Sequence, residues 1–247
     1  MKEYTERSYR LLHRQQDLVF FQITVKETDL DVGVSRAKLT AGLVEGAEQE
    51  IIRVRSQLEK YIATDQTFLR TLKPYLPGPD APEIARVMAR AASTAGTGPM
   101  SAVAGAIAQH VGVYLAKRCR EVIVENGGDI YLRSECTRKI GIFAGTSPFT
   151  NRLAIEIEPH RTPLGICTSS GTVGHSLSMG KADAMVIMAP SAVLADAVAT
   201  AAGNLVQNEN DLQKAVEFAM SINSVTGALA IKNDRLAVAG AVKLTPV

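Results

Sequence analysis

The spacing of hydrophobic and polar positions changes several times along the chain. Residues 7 to 34 include "LVFFQITVKETDLDVGV", rich in β-branched and aromatic residues and without a helical stripe, which predicts a hairpin or pair of strands. From Val44 to Ala63 the spacing turns helical, with Ala47, Ile51, Leu58 and Ile62 on one apolar stripe and charges between them. Residues 73–82, "KPYLPGPDAP", carry four prolines, a rigid turn that predicts an internal boundary between two halves. Two Ala-rich helices are predicted next, "PEIARVMARAAST" and "MSAVAGAIAQHVGVYLAKRC", interrupted by "AGTGP". Short apolar runs of strand length follow: "EVIVE", "DIYLR", "KIGIFAG", "RLAIEIE", "GICTSS" and "DAMVIMA". The last quarter reads as the helices "PSAVLADAVATAAGN" and "ENDLQKAVEFAM", then the strands "GALAIKN", "RLAVAG" and "AVKLT". Strands, central helices and more strands predict an α+β fold with a largely antiparallel sheet.

Composition narrows the classes of function. A chain of 247 residues can bury about three quarters of its unfolded surface in a core. A hydrophobic fraction of 46% with 21% charged residues argues against disorder. The net charge of +2, the absence of Trp and only 5% aromatics argue against a nucleic-acid partner. Cys119, Cys136 and Cys167 are odd in number and widely spaced, which predicts reduced core cysteines in a cytoplasmic protein. No apolar run reaches the roughly 18 residues needed to span a bilayer, so no membrane partner is expected. A homo-oligomer is left open.

Three stretches carry candidate chemistry. In "VIVENGGDIYL", Gly127 and Gly128 permit positive φ between two strand-like runs. They serve either a plain hairpin turn or a close backbone approach to a flat ligand or phosphate, with Asp129 accepting from its hydroxyls or amides. In "GICTSSGTVGHS", Thr168, Ser169, Ser170, Gly171 and His175 crowd hydroxyls, glycine amides and an imidazole into one segment. Such a segment is either a polar surface loop or a pocket for a phosphorylated metabolite, with His175 as general base or phosphate ligand. "GTGPM" lacks the Lys and Ser/Thr of a phosphate loop and reads equally as a helix stop and restart.

The third stretch is the helix after Pro190. From Ala184 to Asn208, Asp196 is the only charged residue, and Asp196, Thr200 and Asn204 follow one another at i, i+4 and i+8 on one face. A carboxylate with a hydroxyl one turn away suits Mg²⁺, which takes one or two carboxylates and completes its shell with water and phosphate oxygens. The alternative is that Asp196 caps a neighbouring element or pairs with a Lys or Arg elsewhere.

"VIVENGGDI", "CTSSG", "GHS" and "VIMAPSAVLADAVATA" occur in the order and approximate spacing of motifs in the ApbE family, the Mg²⁺-dependent FAD:protein FMN transferases. With "GPMSAVAGAIA" and "GKADA", the chain most resembles a small branch of that superfamily, from about residue 45 to the end. The resemblance implies two fused T-fold-like halves holding a flavin nucleotide, FAD or a relative, with Mg²⁺ on its diphosphate. It assigns Asp196 and Thr200 to the metal. Gly127, Gly128, Asp129, Ser169, Ser170 and Gly171 go to the nucleotide pocket, and His175 matches a histidine that precedes a loop "DPRTG". Two features depart from the transferases: that loop is replaced by "SLSMGKAD", and Gln109 stands where they carry an acid. Two functions follow as expectations. One is a Mg²⁺-dependent flavin-nucleotide transferase or phosphoester-processing enzyme, with His175 and Asp196 in its chemistry; the other is a protein that binds the nucleotide without transforming it.

Overall fold

A computed structural model describes residue 10, residues 14–172 and residues 178–247. The hairpin β1 (Leu18–Val25) and β2 (Thr28–Ser35) opens the fold, followed by α1 (Ala41–Thr64), α2 (Gln66–Arg70), α3 (Glu83–Ala95) and α4 (Val103–Ala116). A second hairpin, β3 (Val122–Asn126) and β4 (Asp129–Arg133), is followed by β5 (Arg138–Gly141) and β6 (Leu153–Ile157). The rest is β7 (Leu164–Ser169), β8 (Ala184–Ala189), α5 (Ala192–Leu205), α6 (Leu212–Met220), β9 (Gly227–Lys232), β10 (Arg235–Gly240) and β11 (Leu244–Pro246).

Eight strands form one sheet in the order β1-β2-β3-β4-β7-β8-β9-β10, and β11-β6-β5 form a smaller one. Neighbouring strands pair antiparallel throughout the described residues. The large sheet repeats one plan, a hairpin, helices and a second hairpin: β1β2 to β3β4 around α1–α4, then β7β8 to β9β10 around α5 and α6. β4 pairs with β7 at the middle of the large sheet, and the proline-rich residues 73–82 lie between α2 and α3.

Period-two alternation sorts the strand residues onto two faces. Leu30, Val32, Val124, Cys167, Ile187 and Ala230 face the helices, whereas Ile123, Leu132, Ile166, Val186 and Leu229 face the small sheet. On the helical side α4 lies on β3 and β4, α5 lies on β7 and β8, and α1 covers α4. The stripe of α1 is buried at Leu43, Ala47, Ile51, Val54 and Leu58, while Ile62 is only half-buried at the far end. Small residues bring α4 and α5 together: a Cβ on Gly105 would stand 2.4 Å from the carbonyl oxygen of Ala192 and 2.8 Å from Cβ of Asp196. That contact aims the first turn of α4 at Asp196.

Candidate functional site

Asp196 lies in the second turn of α5, buried, with no Lys or Arg partner among the described residues. Its Oδ2 accepts the amide N–H of Gly105 at 2.8 Å. The start of α4 has no side-chain cap of its own, since Ala102 stands at the cap position, so Asp196 caps α4 from another helix. An anion is favoured there because the first N–H groups of a helix have no intrahelical acceptor. Burial nevertheless raises the Asp196 carboxyl to about 7, against the lowering effect of the Gly105 and Ala104 amides.

Gln109, where the resemblance leads one to expect an acid, performs the converse task. Its Oε1 accepts from the Ala192 N–H at 2.7 Å and from the Ser191 hydroxyl at 3.1 Å, at the start of α5. The two helices therefore close each other's first turns. Nothing in the sequence signals this, because Gln109 and Ala192 are 83 residues apart.

Asp129 reaches the same place from the sheet. Asn126, Gly127, Gly128 and Asp129 form the tight turn between β3 and β4, with φ of 66° at Gly127 and 103° at Gly128. Left-handed backbone at both central positions is the reason glycines stand there. The turn is gripped on both faces of the sheet: Asn126 Nδ2 donates to the Ala104 carbonyl at 3.0 Å, and the Gly128 N–H donates to Glu125 Oε1 at 2.8 Å. Asp129 points toward the helices and is buried, and its Oδ1 has no hydrogen-bond partner among the described residues. Burial raises its carboxyl well above the ordinary value; the charge of Asp196 adds to this, while the Cys167 thiol and Thr168 amide oppose it. Burial and the two carboxylates also push the Cys167 thiol well up. The thiol lies between Asp129 and the Ala192 carbonyl, 3.3 Å from the latter; Cys167 and Cys119 are buried core groups as expected, whereas Cys136 is exposed.

The Ser/Thr stretch borders this pair through particular atoms. Ser169 turns to the helical side, with Oγ 3.4 Å from where a Cβ on Gly203 of α5 would stand. Thr168 alternates to the opposite face, and its carbonyl lies 3.6 Å from a Cβ built on Gly128. Ser170 Oγ accepts the Thr172 N–H, and the Gly171 N–H donates to the Ala182 carbonyl. Thr172 Oγ1 donates at 3.0 Å to Asp183, which also takes Lys232 Nζ and the Asn233 N–H. Asp183 of "GKADA" thus anchors the far end of the stretch. Thr200 is half-buried one turn after Asp196, and Asn204 Oδ1 accepts the Met179 N–H at 2.9 Å. His175 lies outside the described residues.

The structure thus brings Asp129 and Asp196 close to one another, with Gly127 and Gly128 preceding Asp129 in its turn, Thr200 one turn after Asp196 on α5, and Ser169 against Gly203 of the same helix. Two buried carboxylates, one with an orphaned oxygen, are chemically suited to a hard cation. Among the described residues no cluster of three or more His, Cys, Asp or Glu side chains is formed for a metal, so a cation held by this pair would need other oxygens to complete its shell.

A family model described as AbpE bacteria matches residues 10–235. The chain belongs to this family. Relatives include a UPF0280 protein of Methanocella arvoryzae, 44% identical over 191 residues, covering 77% of this chain and 78% of that one. A UPF0280 protein of Methanococcus vannielii is 40% identical over 211 residues, covering 83% and 84%. In fold, the AbpE bacteria chain is similar to a mutant of flavin transferase ApbE from Vibrio cholerae, at a TM-score of 0.57 and 12% identity over 90% of this chain and 96% of that one. It is also similar to the apo flavinyl transferase ApbE of Pseudomonas stutzeri, at 0.55 and 13%, covering 90% and 93%. The chain thus belongs to an ApbE-like branch with an α+β, largely antiparallel fold. No helix of the described residues is long and apolar enough to cross a membrane.

Proposed function

We propose that this protein holds a flavin nucleotide, FAD or a close relative, through Mg²⁺ at the Asp129–Asp196 pair, and processes its diphosphate. The observation that carries this reading is the buried, unpartnered Oδ1 of Asp129 beside the Asp196 carboxylate. Two like charges in a low-dielectric place are unfavourable unless a proton or a cation joins them. In this reading Asp129 and Asp196 hold the ion, with Thr200 one turn further on. Bound there, Mg²⁺ would neutralise the diphosphate and the charge that develops on the leaving phosphate. Gly127 and Gly128, lacking Cβ atoms, leave the turn open to a flat or phosphate group, and on the motif match Ser169, Ser170 and Gly171 are proposed to take part in holding the nucleotide. The flavin comes from the similarity of fold to proteins named flavin transferases, and His175 is proposed as base or phosphate ligand on the match of "GHS" alone.

A second reading, binding without chemistry, is favoured by Gln109. Its side-chain oxygen is engaged by two donors at the start of α5 and offers no acid. Incubating the protein with FAD and Mg²⁺ and separating the nucleotides decides between the two. Release of AMP supports diphosphate processing, since transfer or hydrolysis at the FMN phosphate leaves AMP behind. FAD retained intact with Mg²⁺-dependent affinity supports the binding protein. Absence of Mg²⁺-dependent FAD binding overturns both.

A further inference from the structure

Arg10 is separated from the Gly127–Gly128 turn by more than a hundred residues, yet its guanidinium is buried directly behind it. Nε donates to Glu125 Oε2 at 2.8 Å, Nη1 to Asp29 Oδ1 at 3.1 Å and Nη2 to the Asp29 carbonyl at 2.6 Å. Glu125, on β3, faces away from the helices, and its second oxygen, Oε1, accepts the Gly128 N–H. One carboxylate therefore joins Arg10 to the turn that presents Asp129. On the opposite face Asn126 ties the same turn to α4.

We propose that Arg10 is a positioning residue that acts through Glu125 to set the Gly127–Gly128 turn, and thereby the place of Asp129 opposite Asp196. The functional part of the proposal rests on the nucleotide reading above. Two physical features carry it. Removing the charged Arg10 donor from a buried carboxylate lets its oxygens reorient toward other donors, and Glu125 is one of the two side-chain anchors of a turn whose two glycines supply no side chain to hold it. Charge-assisted hydrogen bonds of this kind are also directional, so the planar fork of Arg10 fixes where the Glu125 oxygens lie. A further buried arginine, Arg138, binds Asp17 and Glu121, but those carboxylates hold no part of the Asn126–Asp129 turn. Arg10 therefore differs from Arg138 in what its partner holds.

The test compares the intact protein with Arg10→Gln and Arg10→Lys. Amide hydrogen exchange at Gly128 is expected to speed up about tenfold in Arg10→Gln, as for loss of a charge-assisted hydrogen bond, and less in Arg10→Lys. Amides of α6, remote from Arg10, should be unchanged in both. FAD affinity in the presence of Mg²⁺ should fall with the same order among the variants, with Arg10→Lys partly restoring it. If Arg10→Gln does not fold, Arg10→Lys alone decides, because it keeps a cation while losing the fork. Unchanged Gly128 exchange in the folded variants, or a speed-up spread equally over α6, overturns the proposal. If the unaltered protein binds no FAD with Mg²⁺, the nucleotide reading fails, while the exchange comparison still decides whether Arg10 sets the turn.

Discussion

Asp196 and Gln109 cap each other's helices: the Asp196 carboxylate accepts the Gly105 N–H of α4, and the Gln109 amide oxygen accepts the Ala192 N–H of α5. The arrangement gives Asp196 two tasks with opposite electrostatic demands. Its Oδ2 stabilises a helix start best when charged, while burial and the nearby Asp129 favour the neutral form. A cation at the pair would satisfy both demands, so capping and the proposed metal binding are compatible in one side chain.

Gln109 accepts at the start of α5 without carrying a charge, so its variants measure capping alone. Gln109→Ala is expected to lose about 1–2 kcal/mol, the usual cost of a lost N-terminal cap, seen as a lower urea midpoint with an unchanged slope. Gln109→Glu keeps an acceptor at a helix start and should lose less. Equal losses in the two variants would show that the Ala192 contact contributes nothing to the capping energy.

Asp196→Asn and Asp196→Ala separate the two tasks of that residue. The Asn keeps an oxygen for the Gly105 N–H and should remain near the parent in thermal stability. The Ala leaves that amide unpaired in a buried place and should cost about 1–3 kcal/mol. Both should lose the rise in melting temperature that Mg²⁺ produces in the parent; a rise that persists in either variant removes Asp196 from the metal site.

Both aspartates bind a proton more tightly in the folded chain than at the ordinary value of 3.8, with Asp196 near 7. The folded state therefore holds more protons than the unfolded one between about pH 4 and 7, and this pair's contribution to stability declines as pH rises through that window. In the presence of a chelator, Asp129→Asn should stabilise the protein near pH 8 and have a smaller effect near pH 5, as measured by urea unfolding. Mg²⁺ should stabilise the parent more near pH 8 than near pH 5, since it competes with the proton. An Asp129→Asn effect equal at the two pH values would contradict the coupling.

Gly105→Ala tests the close approach of α4 to α5. The new methyl would meet the Ala192 carbonyl at 2.4 Å and Cβ of Asp196 at 2.8 Å, so the helices must part. A cost of about 1–3 kcal/mol is expected from overpacking, together with weaker Mg²⁺ stabilisation because Asp196 moves. A fully stable, metal-responsive variant would show that the helices separate freely.

Periodicity by itself marked most of the elements: the stripe of Ala47, Ile51 and Leu58 is the buried face of α1, and each strand-like run between "EVIVE" and "AVKLT" contains a strand, while the five-residue α2 is too short to show a period. The glycines of "ENGGD" marked the tight turn, since positive φ at Gly127 and Gly128 is a local demand that local sequence can express. Asp196 stood out because a lone acid in an apolar helix is chemically unusual. What the acid meets was decided only by tertiary structure. Its partners, Gly105 and Asp129, come from another helix and from the sheet, and Gln109 and Arg10 likewise act on segments 82 or more residues away. Hydrogen bonds across such separations leave no period and no spacing in the chain, because their geometry exists only after the helices and the sheet have packed.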